Sequence, residues 1–256
     1  MSEVFGSAYA NVYDALYHDK DYSAECDMIE DILKRYGESP VRSILDLGCG
    51  TGNHAVPFAE RGYDVVGVDC SQEMINSAKT KAESKNLHCD FHLADIRQLE
   101  LNRKFDAVVM MFAVLGYQLE NADVLAALKS ARKHLNSRGL LIFDVWYGPA
   151  VLAQRPAERI KIILTSNNNR ILRAASGDLD TLRQICTVRY HLWQLNGNIL
   201  AAETEEEHHM RFFFSQELEL FTQIAGFRLE RLGSFPDFEN DPGENTWNVI
   251  STCIAE

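Results

Sequence analysis

The sequence predicts a doubly wound α/β fold: a seven-stranded, mostly parallel sheet with an antiparallel β insertion. Three observations carry this. Between about residues 42 and 145, five strand-like apolar runs alternate with helical patterns, as in a parallel sheet covered by helices on both faces. The first run ends in Asp46-Leu47-Gly48-Cys49-Gly50-Thr51-Gly52. Glycines at alternate positions of a strand-to-helix turn let bare backbone approach a ligand. After Pro149 the apolar pattern switches to period two, the period of strands.

The chain has 256 residues, 46% hydrophobic and 24% charged. That is ordinary for a globular protein and sufficient for one large core. We read residues 1–256 as a single domain, with an N-terminal helical lid over 1–37 and the β insertion over 158–214. In the lid, Tyr9, Tyr13 and Tyr17 recur every four residues and share a helical face, with Tyr22 in the loop beyond. Ser23 reads as the N-cap of a helix running to Gly37, with Met28, Ile29, Ile32, Leu33 and Tyr36 as its apolar stripe. After the glycine turn a short helix carries Pro57 near its first turn, where proline is tolerated.

The second strand is Tyr63 to Asp69, apolar as a central parallel strand must be. Ser71 caps the next helix, on which Met74, Ile75, Ala78 and Ala82 share a face. A third strand over 88–94 ends at Asp95, and a fourth runs from Phe105 to Met110. Asn121 reads as the cap of a helix buried through Val124, Leu128, Ala131 and Leu135, and Gly139 to Val145 is the fifth strand. In the insertion, Cys186, Val188, Tyr190 and Leu192 alternate with Thr187, Arg189, His191 and Trp193. His208, Met210, Phe212 and Phe214 alternate in the same way. Turn signals stand at 167–169, 176–178 and 196–198, giving about four strands whose wide face is a candidate homodimer surface or pocket wall. Ser215 caps a last helix ending at Gly226, and Phe227–Leu232 and Trp247–Ile254 complete the main sheet around an acidic loop, 236–244.

The net charge of −12 counts against nucleic acid as the main partner. No apolar run reaches the length of a membrane span. The opening Met-Ser-Glu-Val-Phe-Gly has no basic stretch followed by an apolar one, so a cytoplasmic setting is expected. Six scattered cysteines without a C-x-x-C pair suit reduced thiols rather than a disulfide framework. No His, Cys or Asp cluster has metal-ligand spacing, so no metal is expected. His208 and His209 are adjacent on a strand and point to opposite faces; His18 and His54 are expected to be solvated or packed.

Ligands of open α/β sheets bind beyond the carboxyl ends of the strands. Asp46, Gly48 and Gly50 end the first strand, Asp69 the second and Asp95 the third. The glycine spacing differs from both G-x-G-x-x-G and the phosphate-binding P-loop. A carboxylate at Asp69 can accept both hydroxyls of a ribose. Asp95 can accept from an adenine amino group, with Ile96 offering a neighbouring backbone amide. Met111 and Phe112, after the fourth strand, suit an apolar wall against the base or a sulfonium methyl.

The run Asp46 to Gly52 resembles the D-x-G-x-G-x-G motif of class I S-adenosylmethionine (SAM) dependent methyltransferases, and the resemblance spans nearly the whole chain. It implies a Rossmann-like methyltransferase fold, SAM as cofactor and a small-molecule acceptor. The implied cofactor contacts are Tyr22, Asp46, Gly48, Gly50, Asp69, Cys70, Met74, Asp95, Ile96 and Met111. Val12-Tyr13-Asp14-Ala15-Leu16-Tyr17, Lys20-Asp21-Tyr22, Met111-Phe112 with Gly116-Tyr117, and the pair Trp146-Tyr147 are similar to the nucleotide-linked amino-sugar N,N-dimethyltransferases. That likeness implies Tyr17 near the acceptor amine and Tyr22 at the amino-acid end of SAM. Tyr17 and Tyr117 are the candidates for aligning the acceptor, and Tyr13, Trp146 and Tyr147 for binding it. One departure stands out. That family has a Gly/Ser/Arg-rich turn where this chain carries Asp237, Glu239, Asp241 and Glu244, which repel a diphosphate. Arg155, Arg159, Arg170 or Arg173 would have to take its place, or the acceptor is a cationic amine rather than a nucleotide sugar. Methylation of oxygen or carbon, and SAM binding without catalysis, use the same scaffold.

Overall fold

The computed structural model describes residues 6–165 and 169–256. Its main sheet contains β1 (Ser43–Leu47), β2 (Asp64–Asp69), β3 (Asp90–Leu93), β4 (Phe105–Met110), β5 (Leu135–Trp146), β10 (Phe227–Ser234) and β11 (Asn248–Ala255). The strand order is β10-β11-β5-β4-β1-β2-β3. The four central pairings from β3 through β5 are parallel, and β11 is antiparallel to both β5 and β10. The order reverses between β1 and β4, which places a crevice beyond their carboxyl ends.

Both faces of this sheet are dry. On one face Leu45, Leu47, Val66, Val68 and Val108 pack against α5 (Asn121–Lys133) and α7 (Ser215–Ile224) through Val124, Leu128, Leu218 and Phe221. On the other, Ile44, Val65, Ala107 and Val109 meet α2 (Tyr22–Tyr36), α3 (Ala55–Glu60) and α4 (Gln72–Ser84) through Ile29, Ile32, Phe58 and Ile75. Burial on both faces is why these strands read as continuous apolar runs rather than alternating ones.

A second, four-stranded antiparallel sheet has the order β6-β7-β8-β9, from β6 (Arg159–Leu164), β7 (Asn169–Asp180), β8 (Ile185–Asn196) and β9 (Ile199–Arg211). Helix α1 (Ser7–Leu16) packs on it. Tyr9, Val12, Tyr13 and Leu16 form one cluster with Ile163, Ile171, Leu192 and the cleft-side Met74 of α4. The tyrosine helix and the second sheet are therefore one apolar unit, built at the edge of the strand-end crevice.

Several local expectations are corrected. Asp21, not Ser23, caps α2: its carboxylate accepts from Ala24 N at 2.9 Å. Asn121 and Ser215 are the first residues of their helices, preceded by Glu120 and Phe214 at the caps. Ser176-Gly177-Asp178 is not a turn but part of β7. The chain reverses after Asp180, whose carboxylate accepts from Leu182 N and Arg183 N at 3.1 and 3.0 Å. Gly177 serves another purpose: a Cβ there would lie 2.7 Å from Pro156. The turn at 196–198 is present, with Gly197 at φ +60°. The one expected at 167–169 lies mostly outside the described residues. A short helix, α6 (Gly148–Gln154), follows β5 with Pro149 in its first turn, where its missing N–H costs nothing.

Candidate active site

A cleft of about 380 Å³ opens at the crevice between β1 and β4, within the size range of small-molecule sites. Gly48 and Gly50 form its floor at φ +76° and +54°, a conformation that L side chains rarely adopt. A Cβ on Gly48 would collide with Val114, whereas Gly50 has open space before it. Gly50 is thus where a bound molecule can lie against backbone.

Asp69 stands on the wall. One carboxylate oxygen accepts from Gly50 N and the other from Ser71 N, each at 2.9 Å. Burial raises its pKa, opposed by those amides. The two N–H donors fix the carboxylate, and an oxygen with two lone pairs retains capacity for a ligand hydroxyl. Asp95 also lines the cleft, where Arg97 Nε lies 3.0 Å from each of its oxygens and holds the carboxyl below its usual range. Ile96, Met111 and Val114 supply the apolar surface beside it.

The glycine turn is tied to the tyrosine helix by a polar clamp absent from the sequence reading. Asp14 accepts from Thr51 Oγ1 at 2.6 Å and Asn53 Nδ2 at 3.1 Å, and pairs with Lys81 at 3.0 Å. Burial works against its charge, but Thr51 and Lys81 outweigh it and keep its pKa low. A second buried cluster joins α2 to the same turn. His54 Nε2 lies 2.8 Å from Glu25 Oε2, Lys20 pairs with the same carboxylate, and the Tyr22 ring meets His54 edge-on. No sequence pattern reveals either group, because the pairs that join the elements, Asp14–Thr51 and Glu25–His54, lie 37 and 29 residues apart.

Tyr13, Tyr22, Gly48, Gly50, Asp69, Cys70, Met74, Asp95, Ile96, Met111 and Tyr117 all line the cleft. Four expected residues do not. Asp46 lies beneath the turn, buried, with Oδ2 lacking a hydrogen-bond partner. Tyr17 ends α1 behind Phe112, its ring centroid 5.0 Å away, and its hydroxyl meets that of Tyr9 at 3.3 Å. Trp146 packs on Trp247, centroid to centroid 5.5 Å. Tyr147 packs against the main-sheet core, because residues on successive β5-end positions point to opposite faces.

A second hollow of about 360 Å³ shares Phe112 with the first. Lys20, Glu25, Phe235, Asp237, Trp247 and Asn248 also line it. Phe112 is held in an unusual turn. It and Ala113 both have positive φ, +71° and +57°. Asp144 on β5 fixes that turn: Oδ1 accepts from Ala113 N at 2.9 Å and Oδ2 from Asn248 Nδ2 at 3.0 Å. Two non-glycine residues in the left-handed region are costly unless the surroundings impose them. The signal for Asp144 was in the sequence, a lone carboxylate inside Leu140-Leu141-Ile142-Phe143-Asp144-Val145.

Burial also pushes the Asp46 carboxyl up to about 6, with His54 acting in the other direction. The folded chain therefore holds this proton more tightly than the unfolded chain, whose Asp titrates near 3.9. That stabilisation is complete below about pH 4 and is lost as pH rises toward 6. In Asp46→Asn the loss is absent. The melting temperature of the variant, relative to the parent, should rise between about pH 4 and pH 7 and then level off. A difference independent of pH would contradict this protonation state.

The fold and cleft define an α/β protein that binds a nucleoside-bearing cofactor at the carboxyl edge of its sheet. The comparisons with known proteins agree. The model of the methyltransferase domain family matches residues 44–139. The putative methyltransferase YqeM of Bacillus subtilis (strain 168) is 31% identical over 233 residues, 90% of each chain. The dTDP-3-amino-3,4,6-trideoxy-alpha-D-glucopyranose N,N-dimethyltransferase of Streptomyces venezuelae is 35% identical over 57% of this chain, which spans 60% of that protein. The crystal structure of Streptomyces venezuelae DesVI superposes with a TM-score of 0.80 at 25% identity, covering 97% of this chain and 98% of that one. The chain belongs to the SAM-dependent methyltransferases.

The residues present suit that cofactor. The open space at Gly50 would admit a bound molecule against backbone, the anchored carboxylate of Asp69 would accept from a ribose, and the apolar wall of Ile96 and Met111 would pack on a base. No helix among the described residues is long and apolar enough to cross a membrane.

Proposed function

We propose that the chain transfers a methyl group from SAM to an amine nitrogen of a small molecule held in the hollow beside Phe112. SAM supplies a methyl group already activated on a sulfonium sulfur. The protein's task is then to hold two reactants in line and to exclude water. The meeting of the two hollows at Phe112 is the observation that carries the proposal. Asp69, the glycine turn, Tyr13 and Tyr117 line the first hollow, which holds one reactant, and the second hollow receives the acceptor.

The acceptor's charge follows from the lining. Among the described residues Lys20 is the only basic side chain lining the second hollow, and it is paired with Glu25. With Asp237 the lining is net negative. Of the other loop carboxylates, Asp241 pairs with Arg231 at 2.8 Å and Glu239 with Arg35. Arg155, Arg159, Arg170 and Arg173 line neither hollow. A cationic amine or a free amino sugar suits this hollow better than a nucleotide diphosphate. The relatives named as amino-sugar N,N-dimethyltransferases support nitrogen as the acceptor. Mass spectrometry after incubation with SAM tests this. An amine panel containing free amino sugars and their nucleotide diphosphates should gain methyl groups on the free amines. Methylation of the diphosphates alone would overturn the charge argument.

The outer face of the four-stranded sheet supports a homodimer. Ile160, Ile162 and Leu164 alternate on edge strand β6, 77%, 60% and 77% exposed, and Leu200 of β9 adds to the same face at 51%. A long apolar edge of this kind is a pairing surface unless covered. Sedimentation should report twice the chain mass at micromolar concentration, and Ile162→Glu should shift it to one chain. A monomeric parent would remove this reading. Six cysteines without a disulfide support a reducing compartment such as the cytoplasm.

A further inference from the structure

Lys20 stands in the turn between α1 and α2, and its ammonium is surrounded by aromatic rings. Nζ lies 4.7 Å from the centroid of the Tyr22 ring, 5.1 Å from that of Phe112 and 5.6 Å from that of Phe235. It pairs with Glu25, which is 8% exposed and whose other oxygen lies 2.8 Å from His54 Nε2. Burial works against the Glu25 charge, but His54 and Lys20 outweigh it and keep the carboxyl below its usual range. Aromatic faces gathered around a cation are the means by which proteins recognise alkylammonium ligands.

We infer that this cage is the subsite for the acceptor's ammonium group, and that Lys20 fills it in the free protein until the acceptor displaces it. The inference rests on the amine-methylation reading above and names the groups that would recognise the amine. Its position supports this. Tyr22 and Phe112 line the cofactor cleft, and Phe112, Phe235, Lys20 and Glu25 line the second hollow. A cation in the cage therefore stands between the two reactant sites. The rings come from three separate segments: the start of α2, the turn after β4 and the loop after β10. Phe112 is brought there at φ +71°, in the turn that Asp144 fixes. A strained residue is retained where its placement matters to function.

Lys20 is the member of the cage that can leave. It sits on a turn rather than within a helix or strand, and its four-carbon stem is flexible. Asp237 lines the same hollow and offers its ammonium a carboxylate outside the cage. Exchange of one cation for another also keeps Glu25 paired throughout, so its buried charge is never left uncompensated. A neutral or anionic acceptor group cannot make that exchange.

Tetramethylammonium is the probe, because it fits an ammonium cage and has no lone pair to accept a methyl group. Its binding is read from the width of its proton resonance during titration. Lys20→Met keeps an apolar stem without the charge. It should bind the probe at least about tenfold more tightly than the parent, because the resident cation no longer competes. Adding Phe112→Ala should weaken that binding about tenfold, the size of one desolvated cation–π contact. Lys20→Gln should behave as Lys20→Met does. The parent itself gives a readout that needs no variant. With carbon-13 labelled lysine, the Lys20 ε-methylene should resonate upfield under the three rings and move toward the free-lysine shift as the probe saturates. Equal affinity in the parent and the Lys20 variants, binding that survives Phe112→Ala, or an ε-methylene that does not move would overturn the inference. Competition between tetramethylammonium and SAM would put the cage in the cofactor site and also overturn it. Probe binding needs no methyl transfer. If the parent methylates no amine, the proposed function fails while the cage is judged on the probe alone.

Discussion

Asp69→Ala should weaken SAM binding by at least about a hundredfold in calorimetry, about 3 kcal/mol. Two losses combine. The ribose loses a charged acceptor, and hydrogen bonds to charged groups contribute about 1.5–3 kcal/mol each. The backbone also loses its anchor, because Gly50 N and Ser71 N both donate to this carboxylate. Gly50 sits at φ +54° in open space, so little else holds it at the ligand. The fold should survive, since Asp69 ends a strand whose core residues Val65, Val66 and Val68 are untouched. Asp69→Asn separates the two losses. It keeps an acceptor for one amide and should bind SAM more tightly than the alanine variant. Unchanged affinity in Asp69→Ala would remove the second strand end from the cofactor site.

The second large effect is expected at Asp144, which lines neither hollow. Asp144→Ala leaves Ala113 N and Asn248 Nδ2 without their buried acceptor. Each orphaned group costs about 1–3 kcal/mol. The consecutive positive φ angles at Phe112 and Ala113 lose what enforces them. The melting temperature should fall by about 5–10 °C for a chain of this size. Turnover should fall further than SAM affinity, because Phe112 sits where the two hollows meet rather than deep in either. Asp144→Asn should fall between the two. Its amide oxygen can serve Ala113 N, but its NH2 then faces the donor on Asn248. Normal turnover in a folded Asp144→Ala protein would show that the Phe112 turn does not set the geometry of transfer.

Much of the fold was legible because its signals are local. The parallel strands are buried on both faces, so Ile44-Leu45 and Val65-Val66 read as uninterrupted apolar runs. The glycines at 48 and 50 are needed at positive φ, and this conformational demand shows directly in the sequence. Errors arose where a local signal had two physical causes. Gly177 was read as a turn, but it is glycine because Pro156 lies against it. Ser23 was read as a cap, yet Asp21 two residues earlier is the better-placed acceptor.

The site divides in the same way. Residues at strand ends, Asp69 and Asp95 among them, were legible as cleft residues because topology puts a crevice there. Supporting residues were not. Asp14 reaches Thr51, Glu25 reaches His54, and Asp144 reaches both Ala113 and Asn248, all across elements distant in sequence. His208 was read only as facing away from His209, because a lone histidine on a strand carries no chemistry by itself. The approach of β9 to the turn holding Tyr117 gives it a hydrogen-bond partner. Asp46 was placed at the cofactor on motif spacing, but β1 carries its side chain beneath the glycine turn.

Methyl transfer to nitrogen across this cleft and its neighbour leaves a direct chemical signature. The most direct measurement uses SAM carrying carbon-13 in its methyl group, an amine acceptor that turns over, and carbon-13 NMR of the product. The account predicts a new methyl resonance at the shift of an N-methyl group, which does not form with the Asp69→Ala protein. A resonance at the shift of an O-methyl or C-methyl group would contradict it.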